Sequence, residues 1–139
     1  MLDKTLDHVA IVVADLAASE RAYAQLGFAV RYRERVDDQG VDVVGMQAGD
    51  STIELLKPLR TDSPLVRFLG DKPSRLHHFA YRVADIVSEL SALSASGIRL
   101  IDHSPRQGAH GNLIAFVHPA STGGVLVELC QAKNPQNSR

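Results

Sequence analysis

Apolar residues rich in Val, Ile, Leu, Phe and Tyr gather in eight short stretches, at 6–13, 28–35, 41–47, 52–57, 76–83, 98–102, 112–118 and 125–130. Each reads as a β-strand. After the first and the fifth, the apolar spacing changes to a helical stripe: Leu16, Tyr23 and Leu26 in one place, Ile86, Leu90 and Leu93 in the other. Asp15 and Asp85 stand where an N-cap is wanted, and Gly27 and Gly97 where a helix ends in the left-handed conformation. The chain therefore predicts β-α-β-β-β twice over.

The two sets are copies. At an offset of 70, residues 6–30 and 76–100 are identical at eight of 25 positions, including His8/His78, Ala10/Ala80, Asp15/Asp85 and Gly27/Gly97. Module one is expected over about 5–60 and module two over about 75–131. A short helix capped by Ser63, with Pro64 in its first turn, is predicted over about 63–70 between them. Residues 132–139 read as a polar, frayed tail. The fold class expected is α+β, a single domain of two paired βαβββ modules.

Composition narrows the function. The chain has 139 residues, 45% hydrophobic and 22% charged, with 15 basic and 16 acidic side chains and a net charge of -1. Such a balance gives no electrostatic case for nucleic acid or an anionic membrane. One cysteine, Cys130, excludes an internal disulfide framework and a thiolate zinc module. No apolar h-region follows the N-terminus, and no apolar run approaches the roughly 18 residues of a membrane span. The expectation is a soluble, cytoplasmic protein.

Strand parity selects the chemistry. In 6–13, Val9, Ile11 and Val13 share one face, and His8, Ala10 and Val12 the other. In 76–83, His78 sits with Ala80, while His77 goes with Phe79, Tyr81 and Val83. The bulky apolar face should meet the helix, and the face pairing His with a small Ala should line a cavity. The last strand of each half repeats the device, with Glu54 opposite in direction to Ile53 and Leu55, and Glu128 to Val127 and Leu129. The chain contains only five Glu, and two of them interrupt apolar strands. A carboxylate buried without compensation costs several kcal/mol or changes its protonation. His8, Glu54, His78 and Glu128 compensate one another if they share one divalent cation. Nitrogen and oxygen donors without thiolate suit Co²⁺, Ni²⁺, Zn²⁺, Mn²⁺ or Fe²⁺. His103, His110 and His118 have no repeat partner and read as structural or substrate-contacting. Cys130 reads as a small buried hydrophobe.

These residues resemble the vicinal oxygen chelate superfamily. Over about residues 5–131 the chain is similar, within it, to the methylmalonyl-CoA epimerases. The resemblance is carried by LDHVAIVVADL, the QGV of 39–41, IELLKPL at 53–59, DSPLVRFL at 62–69, LHHFAYRVADI, GIRLIDHSPRQGAHGN at 97–112, FVHP at 116–119 and GGVLVEL at 123–129. It implies sheets cupped around one divalent metal ion per chain, Co²⁺ ahead of the other ions, held by His8, Glu54, His78 and Glu128. It also implies an acyl-CoA thioester substrate whose C2 epimers interconvert by 1,1-proton transfer through a metal-stabilised enolate, in a homodimer.

One position departs from the pattern. Some bacterial epimerases carry a Glu three residues after the Gly of QGV, and here that residue is Val43. Glu54 and Glu128 are therefore expected to act as acid/base residues as well as ligands. Arg106, His110 and Asn112, in a Gly-bearing loop, are the candidates for substrate contact. Two other functions fit the superfamily: a glyoxalase I-type lactoylglutathione lyase, and a non-catalytic small-molecule-binding protein, which commonly lacks the metal quartet.

Overall fold

Both predicted helices begin and end where the repeat placed them. In a computed structural model, which describes residues 4–133, α1 spans Leu16–Gln25 and α3 spans Ile86–Ala95, an offset of 70. Asp15 accepts a hydrogen bond from the Ala18 N–H at 3.0 Å, and Asp85 one from the Ser88 N–H at 3.2 Å. Each satisfies a donor that the first helical turn leaves orphaned. Gly27 and Gly97 follow the helix ends at φ +106° and +92°, a region that favours residues without a Cβ.

The first half contains β1 (Thr5–Val13), β2 (Ala29–Val36), β3 (Val41–Ala48) and β4 (Ser51–Pro58) besides α1. Its sheet runs β2-β3-β4-β1, with β1 parallel to β4 and the other pairs antiparallel. Ile11, Val13, Val44, Met46 and Leu55 form its buried core, joined by Leu16 and Tyr23 of α1. These β1 and β4 residues are the apolar face that parity assigned to the helix.

The second half contains β5 (Ser74–Arg82), α3, β6 (Arg106–Gln107), β7 (Leu113–Val117) and β8 (Val127–Gln131). Its sheet runs β5-β8-β7-β6, with β5 parallel to β8. Ile86 and Leu90 of α3 pack with Val83, Val117, Val127 and Leu129. Between the halves, α2 covers Pro64–Leu69, with the Ser63 hydroxyl accepting from the Leu65 N–H at 3.2 Å.

Contacts divide the chain into two compact units: His8–His77, and the rest, up to Asp7 and from His78 onward. Both β1 and β5 change unit at the residue where their histidine begins the next stretch. Among the described residues, no helix is long and apolar enough to cross a membrane.

Two strands fall short of expectation by more than a residue at one end. The strand predicted over 98–102 is reduced to a single bridge, Leu100 to Val117, and regular pairing resumes only at β6. Asp102 causes the break: its carboxylate accepts from the Phe116 N–H at 2.8 Å, so a side chain occupies a donor that a ladder would use. Pro105, which follows shortly, has no N–H to give. The strand predicted from 125 begins at Val127, because the Val125 carbonyl accepts from the Thr122 hydroxyl in the preceding turn. Most of the expected polar tail, from residue 134, lies outside the described residues.

Candidate metal centre

In the first unit, the parallel register of β1 and β4 sets Ala10 opposite Glu54 and His8 opposite Thr52. His8 and Glu54 are thus diagonal neighbours on one face, and the small Ala10 leaves room beside the carboxylate. His8 Nε2 lies 3.6 Å from Glu54 Oε1, and both side chains are buried. The other carboxylate oxygen, Oε2, accepts a 2.6 Å hydrogen bond from the Tyr32 hydroxyl.

The second unit repeats the step. Ala80 stands opposite Glu128 on the parallel β8, and His78 is its diagonal neighbour. His78 Nε2 lies 3.5 Å from Glu128 Oε2, with both side chains almost fully shielded. The Phe116 ring meets His78 edge-on, with centroids 5.1 Å apart and an interplanar angle of 90°. Ala80, Ile114 and Cys130 form a small buried cluster on this face, so the cysteine is the packed hydrophobe expected of it.

The donor set fits a divalent ion. Separations of 3.5–3.6 Å exceed a good N–H···O hydrogen bond. They match two donors each about 2.1 Å from one ion at a tetrahedral or somewhat wider angle, which lie roughly 3.4 Å or more apart. Imidazole and carboxylate also suit the first-row divalent metals. A bound cation further offsets the desolvation of two buried carboxylates.

Other candidates fall into place less uniformly. Arg106 pairs with Ile114 in the ladder, which puts it on the His78 side of the second sheet. Its guanidinium lies 5.5 Å from the Phe116 ring centroid, and its Nε is 3.4 Å from Asp102. His110 is exposed and left-handed at φ 60°, a conformation that few residues with a side chain adopt and in which His is enriched alongside Asn and Asp. Asn112, half-buried, closes that loop: its carbonyl accepts from the Gly108 N–H at 2.8 Å. His118 caps the short 3₁₀ turn after β7 through Nδ1, a structural role. His77 lies edge-on to Phe68 of α2 at 4.8 Å, and burial pushes its imidazole below the ordinary range. Val43 is buried, and its neighbour Asp42 is tied to Arg35 at 2.8 Å on the other face.

Two residues of the centre escaped the sequence reading, Tyr32 and Gly45. In the β2–β3–β4 register, Tyr32, Gly45 and Glu54 stand in one row across the sheet. A Cβ on Gly45 would overlap the Tyr32 ring. The signal was available in a glycine inside a strand, which often marks a close approach.

Comparisons with known proteins bear on the family and the fold. The sequence profile of the glyoxalase/bleomycin resistance protein/dioxygenase superfamily matches residues 7–116. The chain is 43% identical over 134 residues to the uncharacterized protein YqjC of Bacillus subtilis, covering 96% of each chain. It is 40% identical over 129 residues to the ethylmalonyl-CoA/methylmalonyl-CoA epimerase of Cereibacter sphaeroides, covering 91% of this chain and 96% of that one. Among solved structures, a variant of the Streptomyces coelicolor methylmalonyl-CoA epimerase in complex with 2-nitronate-propionyl-CoA superposes with a TM-score of 0.87. That match has 32% identity and covers 95% of this chain and all of the other. The fold is the vicinal oxygen chelate fold that the family resemblance implied.

Proposed function

The chain belongs to the methylmalonyl-CoA epimerase family of the glyoxalase/bleomycin resistance protein/dioxygenase superfamily, and from that premise we propose that it is an isomerase interconverting (2R)- and (2S)-methylmalonyl-CoA. The observation that carries the reading is the buried histidine–glutamate pair, built twice by the same two-strand step. In this reading the two units act as one vicinal oxygen chelate domain, and His8, Glu54, His78 and Glu128 together hold one divalent ion. We place Co²⁺ first, with Ni²⁺, Zn²⁺, Mn²⁺ and Fe²⁺ as alternatives for the same donors. The ion supplies Lewis-acid stabilisation of the charge that develops on the substrate's oxygens when C2 loses its proton.

The chain's own groups do the rest. The C2 proton lies between a thioester and a carboxylate, so inversion needs one group to take it and another to return it on the opposite face. Glu54 and Glu128 are the two carboxylates of the repeat, and we assign them both tasks besides ligation. Arg106 offers a guanidinium beside the His78 side of the second sheet, suited to the substrate's carboxylate. His110 and Asn112 line the adjoining loop, where the thioester arm would lie. The one cysteine, Cys130, is buried and forms no disulfide, in keeping with a reducing, cytoplasmic setting. Exposed Leu26, Leu76 and Val87 offer apolar surface for a homodimer, which sedimentation equilibrium would read.

The test is deuterium incorporation at C2 of methylmalonyl-CoA in D₂O, with Co²⁺-loaded protein, followed by NMR. Rapid exchange is expected, with little isomerisation of the glutathione–methylglyoxal adduct. Turnover of that adduct without C2 exchange would make the protein a lactoylglutathione lyase, and activity on neither would leave a binding protein. Glu54→Gln and Glu128→Gln keep an oxygen donor and remove the base. Each is expected to lower turnover by about 10²-fold or more. If both stay near the wild-type rate, the base is elsewhere, and Glu34, opposite Val43 in the β2–β3 register, is the next carboxylate to replace.

A further inference from the structure

The carboxylate that partners His8 is held from outside by a phenol. Tyr32 stands on β2, two strands away from Glu54 on β4, with Gly45 of β3 between them in the register. Because Gly45 has no Cβ, the Tyr32 ring lies across β3, where any side chain would collide with it. Its hydroxyl donates to Glu54 Oε2 at 2.6 Å, the short distance of a charge-assisted O–H···O⁻ bond. The remaining oxygen, Oε1, is the one that approaches His8 Nε2, at 3.6 Å. The two oxygens of one carboxylate therefore have different neighbours.

In the second module the aromatic ring beside the carboxylate carries no hydroxyl. There the residue opposite the carboxylate, in the place of Gly45, is Phe116 itself. An aromatic ring thus accompanies each histidine–glutamate pair, but only the ring of the first module brings a hydroxyl to its glutamate. The space left by Gly45 and the ring that fills it form one unit.

We infer that Tyr32 is a positioning residue which commits Glu54 to bind the metal through Oε1 alone. The inference rests on the metal-site reading above and deepens it. An aspartate or glutamate ligand can bind through one oxygen or two. A donor fixed on Oε2 favours the one-oxygen mode and stops the carboxylate from rotating. Groups that orient a ligand in this way typically contribute 10–100-fold in metal affinity. Oε2 retains a second acceptor site, since the hydroxyl uses one of its two lone-pair directions.

The test uses Tyr32→Phe, which keeps the ring over Gly45 and removes only the hydroxyl. Co²⁺ affinity is measured by competition with a chelator, and the visible d–d spectrum of the Co²⁺ protein is recorded without substrate. The expected result is a 10–100-fold weaker affinity and a changed d–d envelope, as Glu54 takes up two-oxygen ligation. Gly45→Ala, which pushes the ring away but leaves its hydroxyl, is expected to give the same spectrum, and stands in if Tyr32→Phe does not fold. Adding Tyr32→Phe to Glu54→Gln is expected to change affinity by less than Tyr32→Phe does alone, because the carboxylate it acts on is gone. Wild-type affinity and spectrum in folded Tyr32→Phe would overturn the inference and leave the metal site standing. A wild-type protein that takes up no Co²⁺ would overturn the metal site, and this inference with it.

Discussion

The two modules share a scaffold and differ in what surrounds it. Their helices start and stop 70 residues apart, yet at the matching position one has Leu90 and the other Glu20. Leu90 is buried in the core of its half. Glu20 instead reaches outward to Arg33 of β2, with oxygens 2.6 and 3.1 Å from the guanidinium, which holds its carboxyl below the usual range. No residue of α1 is fully buried, whereas Ile86 and Leu90 of α3 are. The strand β2, which carries Arg33 of that ion pair, is full length, whereas its counterpart in the repeat is broken by Asp102 and Pro105 into a bridge and a two-residue strand. What both halves keep is the step from a His, past an Ala, to a Glu on the parallel neighbour. The ligand step is thus separable from the means by which each module holds its helix and closes its sheet.

The largest expected effect treats the halves as equal. Alanine at His8 and alanine at His78 are each expected to abolish stoichiometric metal binding, from about one ion per chain in the wild type. Plasma emission analysis of protein dialysed against Co²⁺ reads this directly. Loss in only one of the two variants would break the symmetry and assign the ion to one unit alone. Unchanged stoichiometry in both would remove the quartet from consideration.

Much of this symmetry was legible in the sequence, and for physical reasons. An N-cap aspartate and a glycine with positive φ are local requirements, so Asp15, Asp85, Gly27 and Gly97 fixed the helix ends without any tertiary information. Side-chain alternation is a property of every strand, which is why His78 could be preferred to His77 and the inward Glu residues identified. What escaped depended on partners far away in the chain. The Asp102 carboxylate intercepts a ladder donor 14 residues on, and the apolar run before it gave no hint of that. Tyr32 reaches Glu54 only because β2, β3 and β4 are in a particular register, and because position 45 lacks a side chain. Arg106 read as a loop residue; its ladder pairing with Ile114 places it on the His78 side.

A second measurement sharpens the contrast between the helices. Leu90→Ala removes a side chain that is 3% exposed, and should destabilise the protein by about 3 kcal/mol through lost burial and a residual cavity. For a chain of this size that is a fall of roughly 10 °C in melting temperature. Glu20→Ala removes an exposed ion pair instead. Its effect should be much smaller and should shrink further at high salt, where such pairs are screened. Calorimetry of both variants at low and high ionic strength checks the pair. Equal losses would mean that α1 is held as tightly as α3, against the burial that separates them.

The smallest expected effect concerns the two caps. Asp85 has a second donor that Asp15 lacks: the Ser88 hydroxyl gives to Oδ2 at 3.0 Å, while the matching residue of α1 is Ala18. The Ser88 backbone N–H, then its hydroxyl, holds the Asp85 carboxyl below the ordinary value of 3.8. A carboxylate lowered on folding contributes stability that is fully present above its unfolded value and is lost as pH falls through the folded one. The contribution of Asp85 should therefore be full well above pH 3.8 and be lost as pH falls below that value through the lower folded one. Asn caps a helix about as well as Asp and does not titrate. Asp85→Asn should thus leave neutral-pH stability nearly unchanged and flatten the acid limb of the stability profile. Ser88→Ala should move the Asp85 titration midpoint upward, as read by carboxyl-carbon NMR. A midpoint that does not move in Ser88→Ala would show that the backbone donor alone sets it, and the two caps would then differ in composition but not in strength.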